Sequence, residues 1–168
     1  MRVTDKHVFF WGEFLSNWYP AKFTILNKEG KTLEFLNSEQ YFMYEKARIF
    51  GDEETAMKIL FEGSNPKKAK QLGRQVKNYS DEVWNEVRYK VMVRANLQKY
   101  LQNQELEDLL LKKEFEGKHF VEASPVDKIW GIGCDEATAL DDESNWNGQN
   151  LLGKALDEVR DILKSCAV

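Results

Sequence analysis

Phe35-Leu36-Asn37-Ser38-Glu39-Gln40-Tyr41-Phe42-Met43 is the stretch where the chain changes period, from two residues to about 3.6. Upstream, Phe23-Thr24-Ile25-Leu26 and Thr32-Leu33-Glu34-Phe35-Leu36 are short runs of β-branched and aromatic residues. They flank Asn27-Lys28-Glu29-Gly30-Lys31, which reads as a hairpin loop with a glycine in its turn. Downstream, Asn37 and Ser38 are good helix caps, and Gln40 stands three residues after Asn37, as in a capping box. Phe42, Met43, Ala47 and Phe50 then form a helical stripe. A hairpin passed directly to an amphipathic helix points to an α+β fold.

Toward the N-terminus, His7-Val8-Phe9-Phe10-Trp11 reads as a buried strand. Toward the C-terminus the spacing predicts a helix over Glu53 to Phe61. Another opens at Asn65-Pro66, with the proline at the tolerated first position. A fourth begins at Ser80-Asp81-Glu82 and puts Trp84, Val87, Val91 and Ala95 on one face. Asn103 begins a short helix through Leu109 and Leu110. His119-Phe120-Val121-Glu122-Ala123 is strand-like, and Ile129-Trp130-Gly131-Ile132-Gly133 follows it closely. Cys134 to Gln149 has no usable period and five carboxylates, and reads as a loop. Asn150 is expected to cap a last helix whose core stripe is Leu152, Leu156, Val159 and Leu163. With no repeat, low-complexity tract or linker, residues 1–168 are expected to form a single, mainly helical domain with a small β-sheet.

Composition excludes several function classes. No run approaches the roughly 20 apolar residues that cross a bilayer, and Met1-Arg2-Val3-Thr4-Asp5-Lys6 lacks a signal-peptide core. A cytoplasmic protein with no membrane partner is expected. Cys134 and Cys166 suggest neither a zinc ligand set nor a disulfide framework, and His7 and His119 lack spaced ligand partners, so no metal and no cofactor are expected. A net charge of -4 argues against a general nucleic-acid binder but leaves room for a small phosphorylated ligand. Aromatics make up 12% of the chain and include five tryptophans; most are read as core packing, and one or two are candidates to stack a heterocycle.

Three groups of side chains could carry chemistry. Glu39 and Lys46 are seven residues apart, nearly two helical turns, so both project from one side, roughly 10 Å apart along the axis. A sugar-sized ligand fits between them, although such pairs are most often solvated surface residues. Glu122 and Asp127 bracket Ser124-Pro125 just before Trp130-Gly131, a strand end followed by a Gly-flanked turn where backbone can approach a ligand. In the basic run Lys67, Lys68, Lys70, Arg74 and Lys77, Arg74 beside Gly73 is the single phosphate candidate. The acidic residues Asp135, Glu136, Asp141, Asp142 and Glu143 do not have the spacing of a calcium-binding EF-hand loop.

These pieces occur in a familiar order. Phe14-Leu15-Ser16-Asn17, then Ser38-Glu39-Gln40-Tyr41-Phe42 with Lys46-Ala47, Phe50 and Asp52, resemble the opening of the YbiA-like NADAR family. Leu72-Gly73-Arg74, Trp84, Val121-Glu122, Asp127 and Trp130-Gly131 continue it, and Asn150-Leu151-Leu152-Gly153-Lys154-Ala155-Leu156 is similar to its closing helix. The resemblance spans nearly the whole chain. It implies hydrolysis of a ribose N-glycosidic bond, in riboflavin-pathway ribosylamino intermediates or in ADP-ribosyl conjugates, including ADP-ribosylated guanine in nucleic acid. It also implies Glu39, Lys46 and Asp127 as catalytic residues and Trp84, Trp130, Gly131, Glu122, Arg74, Asn150 and Gly153 as substrate-binding or supporting ones.

The residue types suit that reaction. Breaking a ribose C1–N bond builds positive charge on the sugar, which a carboxylate stabilises, and a carboxyl group can activate water or protonate the leaving nitrogen. Two roles are open to Lys46: an ammonium holding phosphate or ribose oxygen, or a neutral amine attacking C1 of an opened ribose. A non-catalytic module binding NAD or ADP-ribose is the alternative, as is a structural interaction domain. One departure stands out. Many relatives have a short Gly-rich link between the Trp-Gly pair and the last helix, where this chain has the long acidic segment with Trp146, read as a lid that bears on substrate choice.

Overall fold

In chain order the elements are β1 (Arg2–Val3), β2 (His7–Phe10), β3 (Phe23–Leu26), β4 (Thr32–Phe35), α1 (Ser38–Ile49), α2 (Glu53–Glu62), α3 (Pro66–Gly73), α4 (Asp81–Leu101), α5 (Gln104–Leu110), β5 (His119–Glu122), α6 (Glu136–Asp141) and α7 (Leu151–Cys166). This computed structural model describes residues 1–166. The class is α+β and mainly helical, as the pattern predicts. The chain divides into two compact units, Asn17–Gln104 and, around it in sequence, Met1–Ser16 with the chain from Glu105 onward.

In the unit Asn17–Gln104, β3 and β4 form the expected antiparallel hairpin, with Phe23 opposite Phe35. Both rings are buried and meet the Tyr41 ring of α1 edge-on, at 5.8 and 5.2 Å between centroids. The outer edge of β3 is covered by a side chain. Gln102 donates from Nε2 to the Thr24 carbonyl (2.9 Å) and accepts from the Thr24 N–H at Oε1 (2.9 Å), replacing a neighbouring strand. Helix α1 packs against α2, α3 and α4. Its cap is half of the expected box. Asn37 Oδ1 accepts from the Gln40 N–H at 2.8 Å, but the Gln40 carboxamide does not reach back to Asn37. It accepts instead from the Leu36 N–H and donates to the Ile59 carbonyl, fastening the start of α1 to the end of α2. Gly73 permits the α1–α3 contact, because a Cβ there would run into the Met43 sulfur.

Lys99 of α4 is fully buried, with Nζ 5.0 Å from the centre of the Tyr100 ring and 5.8 Å from that of Tyr19. Burial pulls its pKa down to about 7. An unfolded lysine titrates near ~10.4, so between those values the unfolded chain holds more of the proton. Stability is therefore lost as pH falls through that window and is flat below it. Denaturant melts of the parent chain and of Lys99→Met at pH 7 and pH 10 check this: the rise in stability with pH is expected to shrink in the methionine variant, and an unchanged rise would assign it to other groups.

The other unit is built on a three-stranded sheet in the order β1-β2-β5, with β1 antiparallel and β5 parallel to β2. Phe9, Val121, Ala123, Ile132 and Ala139 form a core on one side. Helix α7 packs on β5, held where Asp157 accepts the Phe120 N–H (3.0 Å) and Arg160 donates to the Phe115 carbonyl (3.1 Å). Ile129–Gly133 forms no strand; it runs irregularly beside the end of β5.

Two expectations in this unit need correction. The acidic segment is not all loop: α6 and a 3₁₀ turn at Glu143–Asn145 lie within it. Asp135 and Asp142 each cap one of these short turns, accepting from the Thr138 and Ser144 N–H groups at 2.8 Å. Turns this short bury too few residues to leave a period in the sequence. Trp146 donates from Nε1 to the Ala139 carbonyl (3.1 Å) and sets its ring edge-on to Phe9 and His7. The supposed lid is thus fastened to the core at Trp146. The second correction concerns Asn150, which does not cap α7 with its side chain. It stands at φ 52°, in the left-handed region, and its carboxamide spans back to β5.

Candidate active site

In the unit Asn17–Gln104, α1 carries Glu39 in its first turn and Lys46 in its last. Asn17 fixes the start of the helix, its carbonyl accepting the Glu39 N–H at 3.1 Å. The Asn17 side chain is in turn buried on α4, where Oδ1 accepts from Asn96 at 3.2 Å. Glu39 is therefore a carboxylate only 8 % exposed, on a backbone position held from two sides. That buried setting departs from the solvated pair the spacing alone allows.

Lys46 is half-buried. Its Nζ lies 4.6 Å from the centre of the Tyr79 ring and 5.9 Å from that of Trp84. Burial pushes its pKa down, and the nearby Arg74 guanidinium pushes the same way, while Glu39 and Asp81 oppose them. The structure therefore brings Glu39, Lys46, Arg74 and Trp84 into one neighbourhood. Trp84 is buried against Phe42 and Phe50, with ring centres 5.0 and 6.5 Å apart, so a ligand would meet little of its surface. Arg74, at the end of α3, is exposed.

Tyr79 and Asp81 were not singled out by the sequence. The Tyr79 hydroxyl donates to Asp81 Oδ1 at 2.7 Å, and the ring faces Lys46. Their signal was masked because Ser80-Asp81 reads fully as a helix start. Asp52, which the sequence offers only as part of a motif, with no role of its own, has a structural one. It caps α2 through the Thr55 N–H and also accepts the Lys77 N–H at 2.9 Å, pinning the segment that presents Tyr79. The Lys77 bond, first among its partners, holds the Asp52 carboxyl below the usual range.

In the other unit the remaining candidates are also neighbours. Asp127 Oδ1 accepts the N–H groups of Ile129 (2.9 Å) and Trp130 (2.8 Å), and the Asp127 N–H donates to Ser124 Oγ at 3.1 Å. The acidic turn is thus a built loop that sets the direction of the half-buried Trp130. A Cβ on Gly131 would press on the Glu122 and Asp127 carbonyls, so only glycine lets the loop close on the strand end. Asn150 Oδ1 accepts the Glu122 N–H at 3.0 Å, and its Nδ2 donates to the Phe120 carbonyl at 2.9 Å. Gly153 sits under that bridge, where a Cβ would meet the Phe120 carbonyl and the Asn150 amide. Asn150 and Gly153 therefore hold Glu122 in place. Exposed Trp11 follows β2, whose Phe10 pairs with Glu122, and is an aromatic that the strand reading absorbed.

The NADAR domain model matches residues 9–164. The chain belongs to the NADAR family. It is 43% identical over 160 residues to Protein irg-1 of Caenorhabditis elegans, covering 88% of this chain and 74% of that one. It is 39% identical over 167 residues to N-glycosidase R617 of Acanthamoeba polyphaga mimivirus, covering 94% and 96%. The NMR structure of the E. coli protein YbiA superposes with a TM-score of 0.73 at 28% identity, over 98% of this chain and 88% of that one.

Proposed function

We propose that this NADAR protein is an N-glycosidase that cleaves the ribose C1–N bond of a small phosphorylated riboside or ADP-ribose conjugate. The observation that carries the reading is the pairing, on one helix, of the buried carboxylate Glu39 with a lysine whose pKa is lowered. The names of the mimiviral relative and of N-glycosidase Npun_R5314 from Nostoc punctiforme, 29% identical over 123 residues, support it. A pure binding module has little use for a buried carboxylate beside an amine.

In this reading Lys46 acts as a neutral amine. Glu39 protonates the ring oxygen as the C1–O bond opens to a C1=N iminium. The Lys46 amine then adds to C1 and passes a proton to the base nitrogen, and the C1–N bond breaks with its electron pair leaving on the base. Water adds to C1 of the remaining lysine iminium, the C1–Nζ bond breaks to release the sugar aldehyde and the free amine, and the spare proton returns to Glu39. Arg74 meets a phosphate. In the other unit, Asp127 directs Trp130, whose half-buried ring is suited to stacking a heterocycle. Trp130→Ala is expected to weaken binding by roughly 1–3 kcal/mol with little change in melting temperature. A lower melting temperature with unchanged affinity would make Trp130 a packing residue.

The test of the function is mass spectrometry of the products from a panel of ribosides, which should include free base and ribose phosphate or ADP-ribose. Competition at physiological salt between an ADP-ribosylated oligonucleotide and a small riboside separates the substrate classes. With a net charge of -4 the small riboside is expected to have the higher kcat/KM. Preference for the oligonucleotide, falling steeply with salt, would overturn that choice.

A further inference from the structure

Helix α1 has a second face that the proposed chemistry does not use. At about 100° per residue, Tyr41, Tyr44, Glu45 and Arg48 project roughly opposite Glu39 and Lys46. Between that face, the β3–β4 hairpin and Arg94 of α4 lies a cavity of about 460 Å³, within the size range of small-molecule sites. Ile25 and Leu33 of the hairpin and the two tyrosines give it apolar walls.

Its polar groups are unevenly signed. Lys28, Arg48 and Arg94 line it, against the single carboxylate of Glu45, in a chain that is acidic as a whole. Burial pushes the Glu45 carboxyl up, while Arg94, Arg48 and Lys28 all pull it down, so the three cations that line the cleft lie within electrostatic reach of its one carboxylate. Arg48 Nη1 already meets Glu53 at 2.8 Å, which leaves its other guanidinium N–H groups for a second acceptor. Arg94 is exposed and near the buried Tyr41 hydroxyl, which lacks a hydrogen bond of full geometry. Two guanidinium groups flanking apolar walls suit a phosphate attached to a flat body, because arginine forks match phosphate oxygens. A phosphate monoester carries about -1.5 to -2 at neutral pH, which offsets the cationic excess.

We propose that this cleft is a second ligand site, distinct from Glu39 and Lys46, that takes a small phosphate monoester with a flat apolar body. Phenyl phosphate titrated into the full chain, followed by the amide NMR shifts of residues 25–33, reads the site directly. Saturable shifts are expected there, weakened about tenfold or more by Arg94→Met and unchanged by Lys46→Met. Glu45→Gln removes the one like charge and is expected to strengthen binding, a gain that misfolding could not produce. Absence of saturable shifts in the hairpin at millimolar phenyl phosphate would overturn the proposal. So would binding that is indifferent to Arg94→Met or lost with Lys46→Met.

Discussion

Glu39→Gln is expected to lower turnover at least about 10²-fold while leaving the fold and ligand affinity near those of the parent chain. The amide has the same shape as the carboxylate, and the Glu39 N–H bond to the Asn17 carbonyl does not involve the side chain. A melting curve reads separately any change in stability that goes with the charge at a site only 8 % exposed. What is lost is chemical. A carboxamide can neither protonate the ring oxygen as the ribose opens nor, as the carboxylate left by that transfer would, stabilise the iminium that forms. Single-turnover rates with saturating riboside, alongside a melting curve, measure the two effects separately. Near-parental rates in a folded Glu39→Gln protein would remove this residue from the mechanism.

The helix that carries Glu39 was legible because its signals are local. Asn37 caps it as the sequence implies, and Phe42, Met43 and Ala47 lie on its buried face. The hairpin before it was legible for the same reason. What the sequence hid is non-local. Gln40 looks like the returning arm of a capping box, yet its amide serves carbonyls at Ile59 and Leu60, some twenty residues on. Asn150 looks like a cap for α7, yet its amide bridges to β5 about thirty residues back. A polar side chain before a helix reads as a cap by default, and only the tertiary structure shows that the strand has claimed it.

The site follows the same division. The Glu39 and Lys46 spacing places both on one helical face, but their burial depends on α3, α4 and the Tyr79 segment. Trp84 was readable both as a stacking group and as core, and its packing on Phe42 and Phe50 gives the core most of its surface. Tyr79, whose ring Lys46 faces at 4.6 Å, was invisible because nothing in its neighbours ties it to α1. The tie is Asp52 holding the Lys77 N–H, a contact between residues 25 apart in sequence.

Lys46→Met and Lys46→Arg are both expected to lose at least about 10³-fold in kcat/KM, and the arginine variant is the more informative. Arginine keeps the positive charge, can reach a phosphate or ribose oxygen, and cannot form an imine with the sugar. If Lys46 worked only as an ammonium, Lys46→Arg would retain a substantial part of the activity. The pH dependence gives an independent sign. Burial, and Arg74 after it, lower the Lys46 pKa against the opposing pull of Glu39 and Asp81, so its neutral fraction at a given pH exceeds that of an ordinary lysine. An amine nucleophile then makes kcat/KM rise with pH, with a midpoint below the ~10.4 of a free lysine. An ammonium contact predicts the reverse, a fall as the proton is lost. Borohydride added during turnover is expected to leave a ribose-derived mass on the peptide containing Lys46, and none in the Lys46→Arg protein. A missing adduct together with an active arginine variant would return Lys46 to a purely electrostatic role, leaving Glu39 to carry the proton transfer alone.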